Sequence, residues 1–482
     1  MHETVTRAPK QLFIAGTWRD AKTGSTFGVE DPATGEVLCP VADAGPDDAA
    51  AAAAAAAAAQ GVWSEVPARQ RGEMLRAAFD RLTERADELA LLLTLEMGKP
   101  LCEAKTEIAY SADFFRWFSE EAVRLPGRYA HSPDGTARFL TGSRPVGPCL
   151  LITPWNFPMA MAARKIAPAL AAGCTVVLKP AHQTPLSALA LSAVLEEVGL
   201  PAGVLNVVTT TAPGEVVEPL LRRPEIRKLS FTGSTATGRR LMAAAAENLL
   251  RISLELGGNA PFLVFDDADL DEAVEGAMVA KLRNGGQACT AANRFLVAEP
   301  VAEEFTARLA DRMGRVTIGP GTEPGVALGP LIEERARAKV TALVADAVDA
   351  GAKALVGGRP ADGPGWFFPP TVLTAVPAGA AVLHDEIFGP VAPITSFRSE
   401  DEAVAAANAT SYGLVSYLYT NDLRRALRVA ERLETGMVGL NQGLVSNAAA
   451  PFGGVKHSGF GREGGPDGIA EYLETQYLAV SV

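Results

Sequence analysis

The stretch Cys149-Leu150-Leu151-Ile152-Thr153-Pro154-Trp155-Asn156-Phe157-Pro158 decides how the chain is to be read. Four apolar residues in a row fit a strand buried on both faces, and the polar, proline-containing segment after them ends it. The figure recurs. Thr175-Val176-Val177-Leu178 runs into Lys179-Pro180-Ala181, Leu229-Ser230-Phe231 into Thr232-Gly233-Ser234, and Arg251-Ile252-Ser253-Leu254 into Glu255-Leu256-Gly257-Gly258, with Val204-Leu205-Asn206-Val207-Val208 between the first two. Helix-length segments separate these runs, so the pattern predicts a doubly wound parallel sheet with helices on both faces. Ligands of such sheets bind where strands end and loops begin, and the unusual residues gather there.

Upstream, short apolar pieces from Leu12 to Val41 alternate with turn signals and predict one or two hairpins. Pro46-Asp47-Asp48 and the eleven alanines Ala49 to Ala59 predict a capped helix. Helical periodicity follows over Arg69 to Met97 and Leu101 to Val123, divided by Gly98 and Pro100, and then an extended excursion from Arg124 to Gly142. Downstream lies a second α/β region. It has a predicted helix over Leu270 to Leu282, a strand near Phe295-Leu296-Val297, helices near Val301 to Met313 and Glu333 to Ala350, and further pieces to about Gly439. The tail from Glu471 to Val482 alternates like a strand and is expected to pair with the excursion across subunits.

A chain of 482 residues predicts two or three domains. Its net charge of −12 repels phosphate polymers and anionic membranes, which argues against a nucleic-acid partner. Met1-His2-Glu3-Thr4 does not read as a secretory signal, and the alanine-rich Met161 to Val177 is interrupted by Arg164, Lys165 and Pro168, so no membrane span is expected. Cys39, Cys102, Cys149, Cys174 and Cys289 are odd in number and lack a Cys-x-x-Cys spacing, which fits the reducing cytoplasm. The five histidines are scattered singly, and no metal is expected.

Asn284-Gly285-Gly286-Gln287-Ala288-Cys289-Thr290 sets a thiol just after two glycines. A cysteine attacks carbon as the thiolate, so a catalytic Cys289 needs surroundings that favour the anion; a small buried residue beside a turn is the plainer alternative. Gly233-Ser234-Thr235-Ala236-Thr237-Gly238-Arg239-Arg240 nearly matches a P-loop, but Arg239 and Arg240 stand where Lys and Ser or Thr are required. What remains is a glycine turn at a helix start, able to take one pyrophosphate. Lys179 is either a cation held at the sheet's ligand edge or a solvated lysine. Asn156 is either a helix cap or an amide donor to an oxyanion. Glu255 is either half of an ion pair or a desolvated base.

Taken together, Thr153-Pro154-Trp155-Asn156-Phe157-Pro158, Phe231-Thr232-Gly233-Ser234, Leu254-Glu255-Leu256-Gly257-Gly258-Asn259, Gly286-Gln287-Ala288-Cys289, Glu386-Ile387-Phe388-Gly389-Pro390 and Pro451-Phe452-Gly453-Gly454 resemble the motif series of the NAD(P)-dependent aldehyde dehydrogenases, in order and over nearly the whole chain. The resemblance implies two doubly wound parallel-sheet α/β domains with a small β oligomerisation extension. It assigns 1–127 and 143–255 to a cofactor-binding domain, 256–445 to a catalytic domain, and 128–142 with 460–482 to the extension. It implies that Cys289 is the nucleophile, that Asn156 and the Cys289 N–H hold the oxyanion, and that Glu255 activates water. Cofactor contacts would come from Thr153, Pro154, Trp155, Lys179, His182, Gly233, Ser234, Glu386 and Phe388.

Within that family Ala163-Arg164-Lys165, Lys281-Leu282-Arg283-Asn284 and Val445-Ser446-Asn447 are most similar to the succinate-semialdehyde dehydrogenases. Arg164, Arg283 and Ser446 would then grip the substrate's distal carboxylate, which suits a guanidinium fork. Glutarate semialdehyde or another ω-carboxy aldehyde is the nearest rival substrate, and a catalytically silent protein of the same fold is the alternative of another class. Two departures matter. Ala291 replaces the second cysteine with which some members form a redox switch, and His182 stands where NAD-preferring members often carry a glutamate. Without that carboxylate a 2′-phosphate is tolerated beside Lys179, so NADP is expected ahead of NAD. The resemblance also implies a homodimer or homotetramer.

Overall fold

A computed structural model describes residues 2–481. Its first sheet has eight strands, in the order Gly459–Phe460, Arg251–Glu255, Lys228–Thr232, Cys149–Ile152, Val176–Lys179, Leu205–Val207, Leu12–Ile14 and Thr17–Arg19. The five inner strands run parallel and are buried on both faces, so they carry no polar alternation; antiparallel pairs close both edges. The second sheet has seven strands, ordered Lys353–Val356, Thr371–Thr374, Val391–Phe397, Ala292–Ala298, Ala260–Val264, Val415–Tyr419 and Met437–Leu440, and only its first strand is antiparallel. Among the described residues no helix is long and apolar enough to cross a membrane.

The hairpin reading of 12–41 resolves into two: Leu12–Ile14 with Thr17–Arg19 inside the large sheet, and Thr26–Asp31 with Glu36–Ala42 as a separate ribbon. The alanine tract is one helix, Pro46–Glu65, in which Asp48 accepts from the Gly45 N–H at the helix start. The expected helix over 69–97 is two helices, Ala68–Glu84 and Ala86–Met97. Arg85 departs from helical ψ between them, and Asp87 and Glu88 begin a fresh first turn. No glycine or proline announces that break.

The tail is a strand. Leu473–Ser481 pairs antiparallel with Ala137–Pro145 of its own chain, from Leu473 opposite Pro145 to Ser481 opposite Ala137, and Arg128–His131 completes a three-stranded sheet. The tail lies at the edge of that sheet, so the backbone groups on its outer side have no strand beside them among the described residues.

Candidate active site

Between the two large sheets lies a cleft of about 490 Å³. The first sheet presents strand ends to it: Glu255 closes Arg251–Glu255, Thr232 closes Lys228–Thr232, and Trp155 and Asn156 follow Cys149–Ile152. Cys289 reaches it from the loop that leads into Ala292–Ala298 of the second sheet. That loop is tightly built. Asn284, Gly285 and Gly286 take positive φ of 54°, 64° and 74° in succession, and a Cβ on Gly286 would stand 2.2 Å from the Gly389 carbonyl oxygen. Glycine is therefore a steric requirement there. Gly258 is equally confined, since its Cβ would meet the Cys289 carbonyl oxygen at 2.4 Å, and this contact brings the end of the Glu255 strand against the thiol-bearing loop.

Asn156 is not a helix cap. The helix Pro158–Ala172 starts after Phe157, without a side-chain cap, and the buried Asn156 amide donates instead to the Gln287 carbonyl at 3.0 Å. An amide nitrogen carries two hydrogens, so one remains for a ligand. The Cys289 N–H has no acceptor among the described residues. The Asn156 backbone is held by Lys99 and Asn284, whose side chains donate to its carbonyl at 2.8 Å each. Lys99 is fully buried, pairs with Glu107 at 2.5 Å and lies 3.9 Å from the Phe157 ring centre. Glu107 in turn accepts from the Met159 and Ala160 N–H groups at the start of Pro158–Ala172.

Glu255 is 2% exposed, and neither carboxylate oxygen has a hydrogen-bond partner. Burial, and then the neighbouring Glu463 carboxylate, push it well above the usual carboxylate range against the opposing charges of Arg164 and Lys165. It is not half of an ion pair. Glu463 is: it pairs with both Arg164 and Lys165, and although burial works against its charge, these cations hold it below its ordinary value. Arg164 therefore lines the cleft with its charge already met, its guanidinium 4.2 Å from the Phe452 ring centre and its Nη2 without a partner. Arg283 also lines the cleft, 4.5 Å from the Phe157 ring centre, with no carboxylate within ion-pair distance among the described residues. Ser446 lines the same space.

The thiol departs from expectation. Burial pushes Cys289 up to about 12, and Glu386 and Glu255 add to the rise against Arg164 and Arg283. The resting group is a thiol rather than the anion that attack needs.

Trp155, Gly233, Ser234, Glu386 and Phe388 line the cleft's other arm, with Pro154; Thr153, Lys179 and His182 lie outside its wall. Lys179 ends its strand, 7% exposed and without an acidic partner, and burial lowers it to about 8. His182 is exposed beside it, and its imidazole titrates below the ordinary value through the packing around it and the Lys179 charge. Ser234 caps the helix Thr235–Ala245 by accepting from Thr237 N–H, leaving the amino-terminal turn open to an anion. The Glu386 carboxylate accepts from Gly258 N–H at 3.0 Å and packs where a Cβ on Gly257 would stand 2.9 Å away. Phe388, at φ 56°, meets Trp155 edge-on with ring centres 5.4 Å apart. Thr153 and Thr232 each bury a hydroxyl without a partner. An uncompensated buried cation, a helix start, a carboxylate and orphaned hydroxyls together fit a dinucleotide with anionic phosphates and ribose hydroxyls.

A sequence model described as the aldehyde dehydrogenase family matches residues 18–478. The chain belongs to that family. It is an NAD(P)-dependent aldehyde dehydrogenase. It is 59% identical to a succinate-semialdehyde dehydrogenase of Paenarthrobacter nicotinovorans, over 92% of this chain and 99% of that protein. It is 52% identical to a glutarate-semialdehyde dehydrogenase of Pseudomonas aeruginosa, over 98% and 97%. Among solved structures, a succinate-semialdehyde dehydrogenase from Burkholderia pseudomallei superposes with a TM-score of 0.98 at 50% identity, covering 100% of this chain and 99% of that one. Five groups around this aldehyde dehydrogenase site escaped the sequence reading: Lys99, Glu107, Tyr110, Lys339 and Glu463. Lys339, which donates to the Glu386 carbonyl at 2.6 Å, sits on an ordinary amphipathic helix that gives no signal. Glu107 and Tyr110 did carry one, being polar residues at helical spacing among apolar neighbours.

Proposed function

We propose that the protein oxidises succinate semialdehyde to succinate with NADP⁺ or NAD⁺ as acceptor, NADP⁺ preferred. The observation that carries this reading is the make-up of one cleft, in which a thiol and a partnerless carboxylate share a wall with two arginines and a serine. An aldehyde with a distal carboxylate has one end for each set.

In this reading the Cys289 sulfur adds to the aldehyde carbon as its proton leaves. The Asn156 amide and the Cys289 N–H donate to the resulting oxyanion, where fixed donors are most effective. Ser234, Trp155, Glu386, Lys179 and His182 would hold the oxidised dinucleotide, which when bound would supply the acceptor for the substrate's hydride. Cys289 is then left as a thioester. Glu255 takes a proton from water, the hydroxide adds to the acyl carbon, and the sulfur departs with the acid released. A raised carboxylate suits that step, because it is a stronger base than an ordinary one.

Glutarate semialdehyde is the second reading, favoured by the 52% identity to an enzyme of that name. We assign 1–127 and 143–255 to cofactor binding, 256–445 to catalysis, and 128–142 with 460–482 to oligomerisation into a dimer or tetramer. Exposed Tyr129, Leu140, Tyr477 and Leu478 on the three-stranded sheet support that last role. The five free cysteines support a reducing cytoplasm. The test is kcat/KM over succinate semialdehyde, glutarate semialdehyde and neutral aldehydes with each cofactor. The highest value is expected for succinate semialdehyde with NADP⁺; a preference for a neutral aldehyde overturns the substrate assignment, and a large preference for NAD⁺ overturns the cofactor assignment.

A further inference from the structure

The cleft holds one polar group that the reaction above leaves unused. Tyr110 lies on the helix Leu101–Glu121, three residues past Glu107 and seven past Glu103, so at about 100° per residue all three leave one face. That face is pinned to the site. Glu103 accepts from the Asn284 N–H at 2.7 Å, and Glu107 accepts from the Met159 N–H at 3.0 Å. The Tyr110 ring packs on the apolar cluster of Phe157, Met161 and Ala288, next to the nucleophile, and meets Phe114 edge-on at 4.8 Å.

Its phenol oxygen is buried and belongs to a residue lining the cleft; Arg164, a donor, approaches it, and its own proton has no acceptor among the described residues. Arg164 Nη2, on a side chain 1% exposed, is in the same condition. The cations that bear on the phenol are Arg164 and Arg283, which only donate. Glu463, the carboxylate that also bears on it, is already engaged by Arg164 and Lys165. Leaving a buried hydroxyl proton without an acceptor is costly, and here every available neighbour is a donor or is spoken for. Burial raises the phenol above its ordinary value, so it keeps its proton. The missing partner is an acceptor, and beside two guanidiniums it is an anionic one.

We propose that Tyr110 is a specificity-determining residue whose hydroxyl donates to the distal anionic group of the substrate, completing with Arg164, Arg283 and Ser446 a four-donor subsite. The inference rests on the substrate reading above and deepens it. A carboxylate has lone pairs enough for four donors, whereas a neutral chain end offers the phenol nothing and leaves it as it is in the empty cleft.

The test is Tyr110→Phe, which keeps the ring and removes only the hydroxyl. The measured quantity is the ratio of kcat/KM for succinate semialdehyde to that for butanal, in wild type and variant. Losing a hydrogen bond to a charged group predicts a fall in this ratio of about 10- to 100-fold, carried by KM. Calorimetry of succinate binding to the cofactor-free protein gives a second readout, with Kd expected to rise by a similar, about 10- to 100-fold factor. If the wild type prefers succinate semialdehyde and Tyr110→Phe keeps its ratio and its succinate Kd within about twofold, the Tyr110 assignment falls alone. If the wild type shows no preference over butanal, the substrate reading fails and takes the assignment with it.

Discussion

Two buried charge clusters stand behind the cleft, and they are built in opposite ways. Around Asn156 every charge is met: Lys99 has Glu107, the Asn156 carbonyl and the Phe157 ring, and both Glu107 oxygens accept, so that only the neutral side-chain oxygens of Asn156 and Asn284 lack a partner among the described residues. Around Glu255, both of its carboxylate oxygens and Arg164 Nη2 lack hydrogen bonds among the described residues, while Arg164 Nε is met by the Glu463 carboxylate. A satisfied buried network fixes geometry, while an unsatisfied one stores groups whose partners arrive with the ligand or the reaction. In the proposed reaction the first cluster would position the oxyanion donor, and the second is where protons would move.

The largest effect that sharpens this contrast is expected from Glu255→Gln. It removes the base while deleting no protein hydrogen bond, so thioester hydrolysis should fall by about 10²- to 10⁴-fold with stability nearly unchanged. Rapid-quench kinetics of acylation and deacylation, with a denaturant melt, check both halves. An equal loss in the two chemical steps would break the contrast.

Lys99→Met should do the reverse. Removing one member of a buried pair strands the other, so unfolding free energy should drop by about 3–5 kcal/mol, measured by urea titration. The double variant Lys99→Met with Glu107→Gln should recover part of that loss. A single variant as stable as wild type would mean that Lys99 and Glu107 do not form the rigid base assigned to them.

A smaller effect concerns pH. Burial and the Glu463 charge raise Glu255 above the ordinary carboxylate range, so it takes up its proton at higher pH than a free carboxylate would, and deacylation should increase as pH rises through its folded value. The Glu463 charge contributes to that rise, so Glu463→Gln, which also frees Arg164 and Lys165, should move the acidic limb to lower pH. A limb that stays in place or moves upward would show that Glu463 does not act on the base.

The sequence made the parallel sheets legible because strands buried on both faces leave uninterrupted apolar runs, and Cys149–Ile152 with Val176–Lys179 are such strands. That Asn156, Glu255 and Cys289 would meet at one cleft was legible because close-packed loops need particular residues, as those at Gly258 and Gly286 do. The charge on Arg164 was not. Its partner Glu463 is nearly 300 positions away in a glycine-rich segment that has no periodicity to read. The state of the Cys289 thiol was hidden for a similar reason, since it is set by burial and by four charged groups from separate parts of the chain. Alternation marked both the tail and the excursion as strands, but it does not say whether two strands that pair belong to one chain, as Leu473–Ser481 and Ala137–Pro145 do.

The central claim is that Cys289, Asn156 and Glu255 act on one carbon. Mixing Glu255→Gln with succinate semialdehyde and oxidised cofactor, quenching in acid and mapping peptides by mass spectrometry tests it most directly. The account predicts a burst of reduced cofactor no larger than the enzyme concentration and a succinyl group on Cys289. An unmodified Cys289 accompanied by full steady turnover would contradict it.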